Sequence, residues 1–312
     1  MMRRLIILLL ALQAGAVLAL AAGLHQLWRP AWEATLNAPS TAVTYLLFGL
    51  VIVLLARMLV SANNFLLSWH SGSDTPSDHL LNPASAASLF LREFHSSMLT
   101  TSYYMLKPIG MQVQADARGL PVLLVHGYAC NSGYWTPMSA LLKEAHISHY
   151  GIDLEPLGAP IDDFAPQVQA AVERLCAETG SSQVIILAHS MGGLVARAYL
   201  RRYGTQYIAR VITLGTPHHG TALAHFGPGS NAAQMRRDSE WLGSLAASEA
   251  NLQRNLFSSI YSVHDNIIAP QDSSDLPGAR NLVFGAIGHV ALGSHPHSMR
   301  CALAEITSVT HR

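Results

Sequence analysis

One serine in this chain sits where a side chain could act as a nucleophile. The stretch VIILAHSMGGLVARAYL, residues 184–200, starts as an apolar β-branched run and turns helical within a few residues. Ser190 lies on the corner, and the run Ala188-His189-Ser190-Met191-Gly192 follows the nucleophile-elbow pattern G-x-S-x-G with alanine at its first small position. Such a corner strains the serine backbone, so its neighbours must be small. The helix starting under Ser190 would aim its first amides and its dipole at a developing negative charge. A Ser-Gly helix cap is the plain alternative. Serine is a weak nucleophile at neutral pH and needs a base. The oxyanion that its attack creates needs donors. The Met191 amide is one candidate. The second candidate follows an earlier strand, in LLVHGYACNSGYW, where Gly127 lets the backbone turn and the Tyr128 amide follows.

Strands and helices must alternate to hold these groups. PVLLVHG (121–127), ISHYGIDL (147–154), QVIILA (183–188), ARVITLG (209–215), SSIYSV (258–263) and NLVFGAIG (281–288) read as strands. Between the second and third, Phe164, Val168, Ala171, Val172 and Leu175 share one helical face that ends at Gly180, a C-terminal cap. Leu194 to Tyr203 reads as the helix after the serine. This order implies a mostly parallel sheet covered by helices on both faces, with sites at the carboxyl ends of strands. Residues 111–312 are assigned to this α/β domain. Thr221 to Phe257 is an insertion rich in apolar residues, among them Leu223, Phe226, Met235, Trp241 and Leu245, and reads as a short helical cap over an apolar pocket.

The first part of the chain is a different material. Only 12% of the 312 residues are charged, against about 25% in soluble domains. Leu5 to Leu24 carries no charge and is long enough to cross a ~30 Å hydrocarbon core at about 1.5 Å per residue. A cleaved signal peptide, with Ala19-Leu20-Ala21 as its site, is the alternative. Ala42 to Val60 is a second span, broken only by Arg57, which could snorkel to headgroups. Arg3 and Arg4 favour a cytoplasmic N-terminus. The loop from His25 to Thr41, with Trp28 and Trp32 near the interface, then lies outside, and the large domain returns to the cytoplasmic side of an inner membrane. Residues 1–68 form this membrane region and 69–110 a linker and lead-in, with irregular chain expected from Ser61 to Ser88.

A formal net charge of zero and the lack of a basic stripe argue against nucleic-acid binding. Cys130, Cys176 and Cys301 have neither disulfide nor metal-ligand spacing, and no H-E-x-x-H pattern is present among the 16 histidines. No metal and no cofactor is expected, and no protein partner can be named.

Taken in order, VHGYACNSGYW, DDFAPQVQAAVERLCAETG, VIILAHSMGGLVARAYL, VITLGTPHHGT, IYSVHDNIIAP and GAIGHVALGSHP resemble the bacterial lipase/esterase branch of the α/β-hydrolase superfamily, from about Pro121 to the C-terminus. Some bacterial lipases share the alanine at the elbow. The N-terminal apolar segments are not part of that pattern. The resemblance implies the chain order nucleophile, acid, histidine. Asp265 then stands as the acid, ahead of Asp272 and Asp275, while Asp153 and Asp162 precede the serine. His289 stands as the base, ahead of His295 and His297. His189, His218 and His219 are left to packing and loop shape. Some lipases of the group carry calcium near the histidine loop, but the acidic residue expected after the histidine is missing from HVALGSHPH. The resemblance implies a membrane-anchored serine hydrolase of carboxylic esters, acyl lipids foremost. An acyltransferase or thioesterase would share the acyl-enzyme chemistry. A non-catalytic, membrane-tethered interaction module is the reading of another class.

Overall fold

The computed structural model describes residues 1–32, 38–249 and 251–309, with backbone alone at 25, 27–32, 38–42, 251 and 252. Seven strands form one sheet: β1 (Met111–Gln112), β2 (Val122–Val125), β3 (His149–Ile152), β4 (Val184–His189), β5 (Ile208–Leu214), β6 (Phe257–Ser262) and β7 (Arg280–Phe284). Their order is β1-β3-β2-β4-β5-β6-β7. β1, a two-residue strand absent from the sequence reading, pairs antiparallel to β3. Every other pair is parallel. The connections β2-α4-β3, β3-α5-β4 and β4-α6-β5 run through α4 (Thr136–Glu144), α5 (Ala165–Thr179) and α6 (Met191–Tyr203). α5 ends on Gly180 in the left-handed conformation, φ 67°.

The sheet separates two apolar layers, and β4 shows why its sequence is an unbroken apolar run. Val184, Ile186 and Ala188 face the layer built with α5 and α6. Ile185 and Leu187 face the other layer, shared with Met138 and Leu142 of α4 and with Ala302 and Ile306 of α10 (Pro296–Thr307). A strand covered on both faces has no polar side to alternate with. Register then aligns the strand ends: Val125 pairs with Ala188, His189 with Leu214, and Leu214 with Ile260. The loops after β2, β4, β5 and β6 therefore leave the sheet at one edge.

Two long helices precede this domain, α1 (Met2–Trp32) and α2 (Ala38–His70), followed by α3 (Pro83–Ser102). Met2–Leu24 and Val43–His70 are apolar and long enough to cross a membrane. Their outer faces leave Leu8, Leu12, Leu18, Phe48, Leu55 and Leu59 exposed. Three expectations change. α2 continues unbroken through Ser61 to His70 and α3 starts at Pro83, so of the expected 61–88 only 71–82 lies outside these two helices. The apolar face of α2 finds partners on the domain, which outweighs the local preference of Ser61, Asn63 and Asn64 for turns. Arg57 does not reach for headgroups: it donates to Gln13 Oε1 (3.2 Å), Ser102 Oγ (3.1 Å) and Thr101 Oγ1, joining α1, α2 and α3. Helix extends into the expected His25–Thr41 loop from both sides. Residues 33–37 and the Trp28 and Trp32 side chains lie outside the described residues.

The insertion after β5 also divides. It contains a 3-10 turn (Ala222–Phe226) and the helices α7 (Ser230–Gln234), α8 (Glu240–Ala247) and α9 (Asn251–Arg254). Its first half lines a cavity. Its second half packs on the body of the domain, with Leu242 and Leu245 buried in the α5/α6 layer and Trp241 Nε1 donating to Asp162 at 2.7 Å.

Candidate active site

Ser190 stands between the end of β4 and the first turn of α6 with φ 55° and ψ −127°. Left-handed backbone is costly for a residue with a Cβ and persists only where the surroundings hold it. Here they do. The Ser190 amide donates to Leu214 O at 2.9 Å, and Thr216 Oγ1 donates to Ser190 O at 2.9 Å. A Cβ on Gly192 would come within 2.6 Å of Val125 O and 2.7 Å of His126 O, and one on Gly193 would collide with Thr216. The two glycines let the new helix lie against the ends of β2 and β5. Met191 is the first residue of α6, so its N–H is among the first-turn amides that have no intrahelical acceptor.

The loop after β2 abuts the serine. A Cβ on Gly127 would lie 2.8 Å from Ser190 Cβ. Buried His126 fixes the loop: its Nδ1 lies 2.8 Å from Gly127 O and its Nε2 accepts the Leu154 amide at 3.0 Å. Burial lowers the His126 pKa, which favours the neutral ring that this pairing requires. Tyr128 follows, its hydroxyl donating to Pro228 O at 2.7 Å in the insertion.

Asp265 and His289 come together 2.7 Å apart, Oδ2 to Nδ1, both almost fully buried. Oδ1 of Asp265 accepts the amides of Ile267 and Ile268, each at 2.8 Å, which fixes the carboxylate. Asn266 Oδ1 accepts the His289 amide at 2.9 Å. Gly215, at φ 56°, makes room for the pair: a Cβ there would sit 3.1 Å from Asp265 Oδ2 and 3.2 Å from His289 Nδ1. Burial by itself pushes the His289 pKa down. The Asp265 carboxylate, by charge and by hydrogen bond, overrides this with help from Glu93, and the net direction is upward. The pair is tied to the serine corner through His189, whose Nε2 lies 3.1 Å from His289 O and whose ring centre is 4.6 Å from that of His289. His189 also stacks on Tyr134 at 4.2 Å, and burial holds its pKa well below the ordinary value.

The rival residues are engaged elsewhere. Asp153 accepts the Ser132 amide, and Asp162 pairs with Arg201 and Trp241. Asp275 accepts from Asn281, and the Asp272 amide donates to Ser73. His295 caps α10, and His297 lies against Phe284. His218 is buried beside Thr213, while His219 binds the loop at Ser273 and Asp275. Cys130 is buried and its thiol is pushed up to about 12.

Four contacts were not read from sequence. Glu93 of α3, 2% exposed, accepts the amides of Val290 and Ala291, each at 2.9 Å, in the turn directly after His289. Its position four residues after buried Leu89 places an acid on the apolar face of α3, a signal that the sequence does carry. Ser68 of α2 donates to Asp265 O at 2.8 Å and accepts from Gln271 Nε2 at 2.9 Å. Arg197 of α6 is buried against Glu249 through two nitrogens (2.6 and 2.9 Å) and donates to His218 O at 3.0 Å. Finally, Asn63, Asn64 and Leu67 of α2 line a cavity of about 480 Å³ together with Ser190, Tyr128 and the first half of the insertion.

The sheet order and the serine corner at its edge define a class, the α/β-hydrolase fold. Comparison with known proteins agrees: residues 121–265 match the family described as having the α/β hydrolase fold. Among curated relatives, a triacylglycerol lipase of Pseudarthrobacter phenanthrenivorans is 34% identical over 119 residues, covering 34% of this chain and 35% of that protein. A triacylglycerol lipase of Burkholderia plantarii is 34% identical over 119 residues, covering 34% of this chain and 32% of that protein. The chain thus spans about a third of the length of these relatives. Among solved structures, the mature Bacillus licheniformis lipase BlEst2 aligns with a TM-score of 0.56 at 19% identity, covering 63% of this chain and 96% of that one. Aspergillus fumigatus lipase B aligns with a TM-score of 0.53 at 17% identity, covering 84% of this chain and 70% of that one.

Proposed function

We propose that this protein is a serine hydrolase of carboxylic esters, acyl lipids foremost, held at a membrane by α1 and α2. One observation carries the reading. A serine with left-handed backbone opens on an apolar cavity at the strand edge where a buried histidine is bonded to a buried carboxylate. The lipase relatives support the same chemistry for the matched segment.

In this reading Ser190 Oγ attacks the ester carbonyl carbon and gives its proton to Nε2 of His289. Asp265 holds the opposite ring nitrogen and stabilises the imidazolium that forms. The Met191 and Tyr128 amides receive the oxyanion. As the tetrahedral species collapses, the alcohol leaves with the proton from His289, and Ser190 is left acylated. Water, deprotonated by His289, then releases the acid. Residues 1–68 serve as the membrane region, 69–110 as lead-in, and 111–312 as the hydrolase domain.

The packing of α1 supports a side of the membrane. Met2 and Ile6 are buried in the core layer shared with α4 and α10, and the last turns of α2 also pack on the domain. Both domain-side helix ends thus lie near Arg3 and Arg4, and the positive-inside rule puts that side in the cytoplasm.

Ser190→Ala should abolish turnover of a chromogenic ester and labelling by a fluorophosphonate probe, with wild-type labelling competed by ester substrate. Undiminished turnover in purified Ser190→Ala protein would overturn the assignment.

A further inference from the structure

The cavity at Ser190 has a wall that the hydrolase domain does not supply. Asn63, Asn64 and Leu67 occupy positions i, i+1 and i+4 of α2, one face of that helix. They face the same space as Leu223, Phe226 and Ile268. Its volume of about 480 Å³ falls within the range of sites that enclose drug-sized ligands, roughly 300–1,000 Å³. Phe226 stands at the rim with 72% of its surface exposed, and Val60, one turn before Asn63 and Asn64 on the same side of α2, is exposed. An apolar path therefore runs from Val60, past the rim, to the serine. We propose that α2 is part of the substrate site, and that the acyl chain of the ester lies against its Asn63/Asn64/Leu67 face. This inference rests on the Ser190 hydrolase reading. It makes the second apolar helix a determinant of chain-length preference as well as an anchor.

The test is a panel of p-nitrophenyl esters from butyrate to palmitate, with kcat/KM measured for the full-length protein. Leu67→Trp fills the wall and should lower the long-to-short ratio about tenfold or more, the scale on which apolar pockets discriminate methylenes. Leu67→Ala should move the ratio the opposite way, toward longer chains. Leu66→Trp, exposed and outside the cavity lining, should leave it unchanged. Ratios for both Leu67 variants within twofold of wild type, while turnover still depends on Ser190, would overturn the α2 subsite and leave the hydrolase reading intact. Turnover that survives Ser190→Ala would instead remove the reading on which it rests.

A second observation carries an independent inference. A buried carboxylate has to be hydrogen-bonded, and both oxygens of Glu93 are used on the two amides that follow His289. The approach is close enough that a Cβ on Gly288 would lie 2.5 Å from Glu93 Oε2. We infer that Glu93, from a helix outside the α/β domain, is a positioning residue for His289. It clamps the turn that carries the imidazole; burial pushes its pKa up, opposed by the Val290 and Ala291 amides and by His289, and in its ionised form it sets a negative charge facing the ring. The titratable groups facing His289 are Asp265 from the loop after β6, Glu93 from α3 and His189 from the end of β4. Glu93→Gln keeps size and one acceptor but removes the charge. The acid limb of its kcat/KM profile, which reports the base of the free enzyme, should move to lower pH. Glu93→Ala should lose more kcat than Glu93→Gln. A limb unmoved in Glu93→Gln, or equal loss in both variants, would reduce Glu93 to a support for folding and overturn the inference. The Ser190→Ala control separates this from failure of the hydrolase reading.

Discussion

The sheet edge and the N-terminal helices solve different problems with different residues. At the sheet edge, the groups around Ser190 come from loops whose positions follow from strand register: Gly127 after β2, Ser190 after β4, Gly215 after β5 and Asp265 after β6. The N-terminal helices reach the same place by a few polar contacts across great sequence distances. Ser68 meets Asp265, and Glu93 meets Val290, each 197 residues away. A parallel sheet aligns its strand ends as a by-product of packing. A helix outside the sheet has no such constraint, so each of its contacts must be made by a particular side chain.

The largest way to break this comparison is at the sheet edge itself. Asp265→Asn preserves size but removes the charge facing His289, and its amide can present a donor to Nδ1. The expected loss in kcat is about 10⁴-fold, as for the equivalent change in serine hydrolases with this triad logic. The pH profile gives the sign independently. With Asp265 in place, the His289 pKa is raised, so the neutral imidazole that the proposed mechanism uses is lost as pH falls through a value above the ordinary one. With asparagine, burial dominates and the acid limb should shift to lower pH. A residual rate near wild type would show that the strand-edge pair is structural.

A middle-sized effect sits inside the domain. Arg197 is buried among the apolar residues of α6 and holds Glu249 and the His218 carbonyl. Arg197→Ala would leave Glu249 with Arg254 alone, at 3.2 Å. Removing one partner of a buried pair costs about 3–5 kcal/mol, and chemical unfolding in detergent should report a loss of that size. A loss under 1 kcal/mol would mean that the insertion is held by its apolar contacts with the body of the domain.

What was legible in the sequence follows the same division. Of the six parallel strands, β2 and β4 were the plainest, because burial on both faces writes them as unbroken apolar runs, whereas β6 carries three serines and β7 is partly exposed. The serine corner could be read because Gly192 and Gly193 stand where any Cβ would strike β2 or Thr216. Asp265 and His289 needed the chain order that the resemblance implies, since 16 histidines leave composition mute. Glu93 escaped because one acid in an amphipathic helix usually marks its wet face. Its register with Leu89 was the available clue. Arg57 was read as a headgroup-seeking side chain because local hydropathy knows nothing of Gln13 or Ser102 on other helices. The cap was half legible: its apolar residues are of one kind in sequence, yet Leu223 and Phe226 line the cavity while Leu242 and Leu245 belong to the core.

The smallest expected effect sharpens the comparison most, because it asks whether α2 matters to the acid loop at all. Ser68 gives one hydrogen bond to Asp265 O and takes one from Gln271. In Ser68→Ala the Asp265 carbonyl keeps the Gln271 donor at 3.0 Å, so it is not left unsatisfied. The cost should be that of an ordinary net hydrogen bond, about 1 kcal/mol. Because the Asp265 side chain keeps its two amide donors, kcat should fall by no more than about tenfold, the rate equivalent of some 1.4 kcal/mol. Unfolding and ester turnover measured on the same preparation separate the outcomes. No change in either would leave α2 without a hold on the loop that carries Asp265. A loss of kcat approaching that of Asp265→Asn would mean that the carboxylate is aimed from α2, and that the boundary between the N-terminal helices and the α/β domain falls inside the site.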